Sequence, residues 1–239
     1  MNKITLDTFI QKYNLSGNVN SVKWTSDGTT LSTRFISGDK SLMGYVELNK
    51  QSLPNFEVGV YDTTQLAKML GTLSDSIDFE VNEVNNTPTN FHLSDKVLSV
   101  DYVLSDLGVI PDVPELKKIP EFDTLVSLDS QFINSFIKSK AALSDVEHFA
   151  IEPVDGGVEF TIGYSDMNSN RISLKVQSGA VALTEAVNFN ANLVKEVLSA
   201  NKECSKAELQ ISNQGLAYVE FKVDDFNVKY WLVQQATKS

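Results

Sequence analysis

The feature that most constrains this chain is an internal repeat of architecture. Val60-Tyr61-Asp62-Thr63-Thr64-Gln65-Leu66-Ala67-Lys68-Met69-Leu70 and Val187-Asn188-Phe189-Asn190-Ala191-Asn192-Leu193-Val194-Lys195-Glu196-Val197 pass from alternating apolar residues to helical periodicity at the same place. Both put a lysine two residues after the first leucine of the helix. A second pair opens the halves: Ile4-Thr5-Leu6-Asp7-Thr8-Phe9-Ile10 and Val126-Ser127-Leu128-Asp129-Ser130-Gln131-Phe132-Ile133, with one residue inserted. Each half therefore reads as strand and helix, several strands, strand and helix, and more strands. A duplicated unit points to a structure built by symmetry.

The 239 residues suffice for two domains of ordinary size. A single cysteine, Cys204, excludes an internal disulfide framework and fits a reducing compartment. The N-terminus shows no signal peptide and no stretch reaches transmembrane length, so a cytoplasmic protein is expected, without a membrane partner. Net charge is −11, from 31 acids against 20 bases, which argues against a surface coated in nucleic acid but allows local positive patches.

The pattern predicts helices at Leu6–Leu15, Thr63–Leu73, Ser130–Leu143 and Ala191–Asn201. Strands are expected at 19–24, 30–36, 42–48, 56–61, 77–84, 90–93 and 97–104 in the first half. In the second they are expected at 124–128, 149–153, 157–164, 171–177, 187–189, 207–212, 216–223 and 228–235. Asp27-Gly28, Asp155-Gly156 and Asn213-Gln214-Gly215 mark hairpins. Pro111, Pro114 and Pro120 exclude regular structure between the halves. The expected fold class is α+β: two similar domains of antiparallel sheet with two short helices each, over 1–106 and 122–239, joined by a connector at 107–121.

Helical projection at about 100° per residue places Leu66, Met69, Leu70 and Leu73 on one stripe, with Lys68 nearly opposite. Leu193, Val194 and Val197 face inward, with Lys195 and Lys202 outside. In the third helix Phe132, Ile133, Phe136 and Ile137 face inward and Lys138 outward. Lys12 lies near the outer edge of the first helix; Lys140 projects toward the apolar side and fits the pattern poorly. Lysine is a good helix former, so one such face means little. Four helices agreeing, in equivalent places of a repeat, mean more.

These residues carry a resemblance to a family. Asp7-Thr8-Phe9-Ile10-Gln11-Lys12-Tyr13, Phe56-Glu57-Val58-Gly59-Val60-Tyr61-Asp62 before a leucine-rich helix, Val187-Asn188-Phe189 leading into Asn192-Leu193-Val194-Lys195, and the C-terminal Tyr230-Trp231-Leu232-Val233 resemble a DNA sliding clamp of the T-even bacteriophage type. That type is related in fold to proliferating-cell nuclear antigen. The resemblance spans the whole chain in order and length and implies a clamp fold closed as a homotrimer. Such a ring encircles duplex DNA without reading sequence and gives the replicative DNA polymerase its processivity. It implies Lys12, Lys68, Lys138, Lys195 and Lys202 as DNA-facing. It implies a subunit joint between an edge carrying Val97, Ser99, Asp101 and Val103 and one carrying Arg171, Ser173 and Lys175. It implies a pocket for a partner peptide, to which Leu107, Val109, Ile110, Leu116 and Ile119 contribute from the connector and Leu42, Val46, Trp231 and Val233 from the sheet. The further partner implied is an ATP-dependent clamp loader, since the chain has no Walker motif of its own.

No catalytic residue, metal site or cofactor is expected, and the chain does not read as an enzyme. His92 and His148 lie in different halves, Cys204 has no histidine near it in sequence, and no nucleophile-elbow, zinc or phosphate-loop motif occurs. The rival class is a β-rich viral structural or assembly protein, which has no need of lysine on all four helices. A sequence-specific DNA binder fits less well, because no helix carries the Arg, Asn or Gln clusters that read base edges.

Overall fold

The computed structural model describes residues 2–163, 170–178 and 181–235; the expected strand end at Tyr164 lies outside them. The chain forms two compact units. The first comprises Met1–Gly38, Gly44–Pro114 and Asp224–Val228; the second is the rest, including Asp39–Met43. Each unit thus contains a short piece of the other half.

The first half runs α1 (Lys3–Asn14), β1 (Val22–Asp27), β2 (Leu31–Ile36), β3 (Leu42–Leu48), β4 (Asn55–Val60), α2 (Thr63–Leu70), β5 (Asp78–Val84), β6 (Thr87–Ser94) and β7 (Ser99–Val103). The second runs β8 (Thr124–Asp129), α3 (Ser130–Ala142), β9 (His148–Val154), β10 (Gly157–Ile162), β11 (Ile172–Gln177), β12 (Val187–Asn190), α4 (Ala191–Ala200), β13 (Lys206–Ile211), β14 (Leu216–Val223) and β15 (Phe226–Val233). The strand order β4-β1-β2-β3 of the first half recurs as β12-β9-β10-β11, and β5-β6-β7 recurs as β13-β14-β15. The fold is α+β, with antiparallel sheets, four short helices and two similar domains.

The repeat is imperfect at its start. The first half does not open with a strand. Where β8 precedes α3, α1 is preceded only by an isolated bridge between Asn2 and Ser76. Helix α1 also begins three residues earlier than expected, because the Asn2 side chain accepts from the Ile4 N–H at 2.9 Å and caps it. The same device starts every helix: Asp62 accepts from Gln65 N, Asp129 from Phe132 N, and Asn190 from Asn192 N and Leu193 N. Helix α2 ends at Leu70 rather than Leu73, where the N–H of Gly71 closes the last turn on the carbonyls of Ala67 and Met69.

Each half packs its helices over sheet through aromatic rings. In the first unit Trp24 meets Phe9 and Phe91, each at 5.2 Å between ring centroids, and its indole N–H donates to the Tyr13 hydroxyl at 3.2 Å. In the second, Phe132 meets Phe160 at 4.8 Å and Phe136 meets Phe149 at 5.1 Å. These rings are large, buried and geometrically selective, so they set how helix and sheet meet.

Candidate DNA-facing, partner and subunit surfaces

The helices reverse the charge balance of the chain. Within α1, α2, α3 and α4 stand six lysines (3, 12, 68, 138, 140 and 195) against two acids, Asp7 and Glu196, and no arginine. Burial then divides the lysines. Lys68, Lys138 and Lys202 are exposed, although Lys202 lies in the turn after α4 rather than on the helix. Lys195 is half-buried and pairs with Glu196 at 2.8 Å. Lys12, expected on an exposed face, is fully buried: its ammonium sits 5.2 Å from the centre of the Phe226 ring. Phe226, from the far end of the sequence, covers a face of α1 that helical periodicity alone leaves exposed. Lys140, the poor fit, is buried too; its Nζ donates to the carbonyls of Leu143 at 3.2 Å and Ser144 at 2.9 Å, satisfying chain beyond the end of α3. Burial, and then the nearby Lys195, holds its pKa below the usual lysine value.

The residues expected to receive a partner peptide fall in different environments. Leu42 and Val46 are fully buried core, so neither lines an accessible pocket. Ile110 is buried as well, and its Cγ1 would lie 3.1 Å from a Cβ added at Gly59. Val109 and Ile119 are exposed; Leu107 and Leu116 are half-buried. Leu107 belongs to a short 3-10 turn, Leu107–Val109, capped by Asp106, and from there to Thr124 the chain holds no helix or strand, as its prolines require. In the second unit Phe122, Tyr218 and Trp231 form an aromatic row, with centroids 6.1 Å and 5.2 Å apart. Val233 follows, exposed. The Trp231 indole nitrogen is buried and has no hydrogen-bond partner among the described residues. Sequence reasoning names Trp231 but not Phe122 and Tyr218, which only the β14–β15 pairing and the connector's path bring beside it.

β7 is an edge of its three-stranded sheet and β11 an edge of its four-stranded one. Ser99, Asp101 and Val103 are exposed on β7, and Ser173 and Lys175 on β11. Val97 and Arg171, placed on these strands from sequence, lie just outside them, in the loop before each strand. Asp101 accepts from the Asn90 amide at 2.8 Å and lies 2.9 Å from His92 Nδ1. Lys175 lies 3.8 Å from Glu159 on β10.

Among the described residues no group of three His, Cys, Asp or Glu could hold a metal ion, and no helix is long and apolar enough to cross a membrane. No protein-family model matches the sequence, and no curated protein matches it. Among solved structures, the proliferating cellular nuclear antigen of Entamoeba histolytica shares the fold, with a TM-score of 0.74 over 99% of this chain and 97% of that one, at 15% identity. At that identity the likeness is one of fold.

Proposed function

We propose that the chain is the subunit of a homotrimeric sliding clamp, of the T-even bacteriophage type, that encircles duplex DNA and tethers the replicative polymerase. The observation that carries this reading is which strand edges stay open. β3 and β15 are framed by two backbone hydrogen bonds of one antiparallel register: Asn49 N to Asp225 O at 2.9 Å inside the first unit, and Val233 N to Ser41 O at 2.8 Å inside the second. The repeat makes β11 the counterpart of β3, and β7 the counterpart of β15. Each of those two is an edge strand of its sheet. Pairing β7 of one chain with β11 of the next repeats an arrangement the chain already uses, removes both exposed edges, and propagates head to tail until a ring closes. Three chains supply six similar domains. The likeness of fold to a nuclear antigen of the proliferating-cell type agrees with this.

Enclosure retains DNA topologically, so its contacts need only be weak and blind to sequence. Exposed Lys68, Lys138 and Lys202 suit that role, because an ammonium on a flexible stem attracts phosphate without the bidentate fork of arginine. Lys195 contributes less, its charge being shared with Glu196. The acidic remainder of the surface discourages DNA from adsorbing elsewhere. For the partner peptide we infer the row of Phe122, Tyr218 and Trp231, with Val233 beside Trp231 on β15 and the accessible connector residues Leu116 and Ile119 as further apolar contributors. It offers aromatic and apolar area, a feature that takes an apolar peptide. Opening the ring falls to a separate ATP-dependent loader.

Light scattering over a range of concentrations tests the stoichiometry, and polymerase run length with and without the protein tests the activity. A three-chain species that lengthens runs is expected. Lys68→Glu with Lys195→Glu should leave the trimer intact and shorten retention on DNA. A strict monomer at every concentration overturns the ring and favours the structural or assembly reading.

A further inference from the structure

The turn between β6 and β7 is a rigid apolar knuckle. The Asp95 carboxylate accepts from the backbone N–H groups of Ser74 at 2.7 Å and of Val97 and Leu98 at 2.8 Å each. Asp95 N in turn donates to Leu98 O at 2.9 Å. These N–H groups, Leu98 first, hold the Asp95 carboxyl well below the usual carboxylate range. The knuckle so fixed presents Val97 at 87% exposure and Leu98 at 47%. Pinning an apolar tip in water has no use in an isolated chain.

The second unit holds a groove of about 530 Å³ between α3 and β11, lined by Gln131, Phe132, Ser135, Leu174 and Val176 among others. The repeat shows what belongs there. In the first unit the matching place, beside α1 at the end of β3, is filled. The turn before β15 seats in it, with Asp225 bonded to Asn49 and paired with Lys50 at 2.6 Å. The ring of Phe226, the first residue of β15, closes over Lys12. Aligning Phe9 and Ile10 with Phe132 and Ile133 makes Ser135 the counterpart of Lys12. Leu98 is the counterpart of Phe226, since each stands four residues before the buried tyrosine of its strand, Tyr102 and Tyr230. So the filler and the empty groove both exist, on the two edges that the ring reading joins.

We propose that the Val97–Leu98 turn of one chain seats in the α3–β11 groove of a second copy, with Leu98 against Phe132 and Ser135. This rests on the ring reading and adds to it the contact that fixes register along the joint. An edge-to-edge ladder alone slips easily, because every residue along it offers the same backbone groups. A side chain in a groove does not.

The test is a cysteine pair, Leu98→Cys with Ser135→Cys, treated with a short bismaleimide; Cys204 is buried and stays. Covalent dimers and trimers that require both cysteines are expected, and neither single variant should give them. In parallel, Leu98→Asp should weaken subunit association at least about tenfold, the scale of losing one buried leucine. Val84→Asp, at another exposed apolar position, should leave association unchanged. A wild-type trimer with no cross-link and no effect of Leu98→Asp overturns the seating while the ring stands. A wild-type monomer at every concentration removes ring and seating together.

Discussion

Gly59 on β4 lies against Ser105, where the chain passes from β7 toward the connector, and it has no room for a side chain. An added Cβ would lie 2.6 Å from the Ser105 carbonyl oxygen and 3.1 Å from Ile110 Cγ1. The backbone is close there because Gly59 and Ser105 form an isolated antiparallel bridge, with Ser105 N donating to Gly59 O at 2.9 Å. A glycine inside a strand often marks such an approach. Gly59→Ala must displace Ser105, which is backbone and has no rotamer to yield. Overpacking costs about 1–3 kcal/mol. Losing the bridging bond costs about 0.5–1.5 kcal/mol more. The alanine returns about 0.4–1 kcal/mol by restricting the unfolded chain. The net loss is roughly 0.5–4 kcal/mol, centred near 2, and concentrated where the connector begins. In amide hydrogen exchange this should appear as a roughly tenfold to hundredfold loss of protection at Ser105. Gly38→Ala is the control: nothing lies within 4 Å of its added Cβ, so it should be neutral or slightly stabilising. Unchanged protection at Ser105 together with wild-type stability would refute the reasoning, for it would mean that the crossing chain relaxes at no cost.

Two further expectations concern buried ionisable groups. Lys12→Glu places a carboxylate in a fully buried site built around an ammonium and should lower thermal stability by several kcal/mol, whereas Lys68→Glu, on the surface, should not; equal melting of the two variants would put Lys12 back on an exposed face. Burial raises the phenol pKa values of Tyr13 and Tyr230 above the ordinary value of 10.0, and pushes those of Tyr45 and Tyr218 up to about 12. The folded state therefore holds these protons more tightly than the unfolded one. Their contribution to stability is complete below the ordinary phenol value and is lost as pH rises above it toward the folded values. Phenolate absorbance should show the Tyr13 and Tyr230 ionisations arriving together with unfolding; their ionisation in a still-folded chain would contradict the burial.

Much of the fold was legible because it depends on local periodicity. The apolar stripes at Leu66/Leu70 and Phe132/Ile133/Phe136 are inward, and Asp27-Gly28 and Asp155-Gly156 are hairpin turns, with Gly28 and Gly156 at positive φ. One helix start differs from the periodicity: the Asn2 cap ahead of Lys3 moves the first helix toward the N-terminus. Asp62, Asp129 and Asn190 repeat that signal, so it was present in the letters. The exposed lysines were legible at Lys68 and Lys138, whose face of the helix is left uncovered. Lys12 was misread because Phe226, more than two hundred residues away, lies against it. The resemblance places Leu42 and Val46 in a pocket, but an apolar residue serves a core as well as a surface, and both are fully buried.

By itself the sequence determined the class of the fold, its duplication and the irregular connector, since alternation, helical period, turn residues and proline act over a few neighbouring residues. Tertiary structure alone decided which lysines reach solvent, which aromatic rings stand beside Trp231, and which strands lie at the sheet edges. Those outcomes depend on pairings between segments far apart in the chain. A strand's own residues state that it alternates, but not what lies on either side of it.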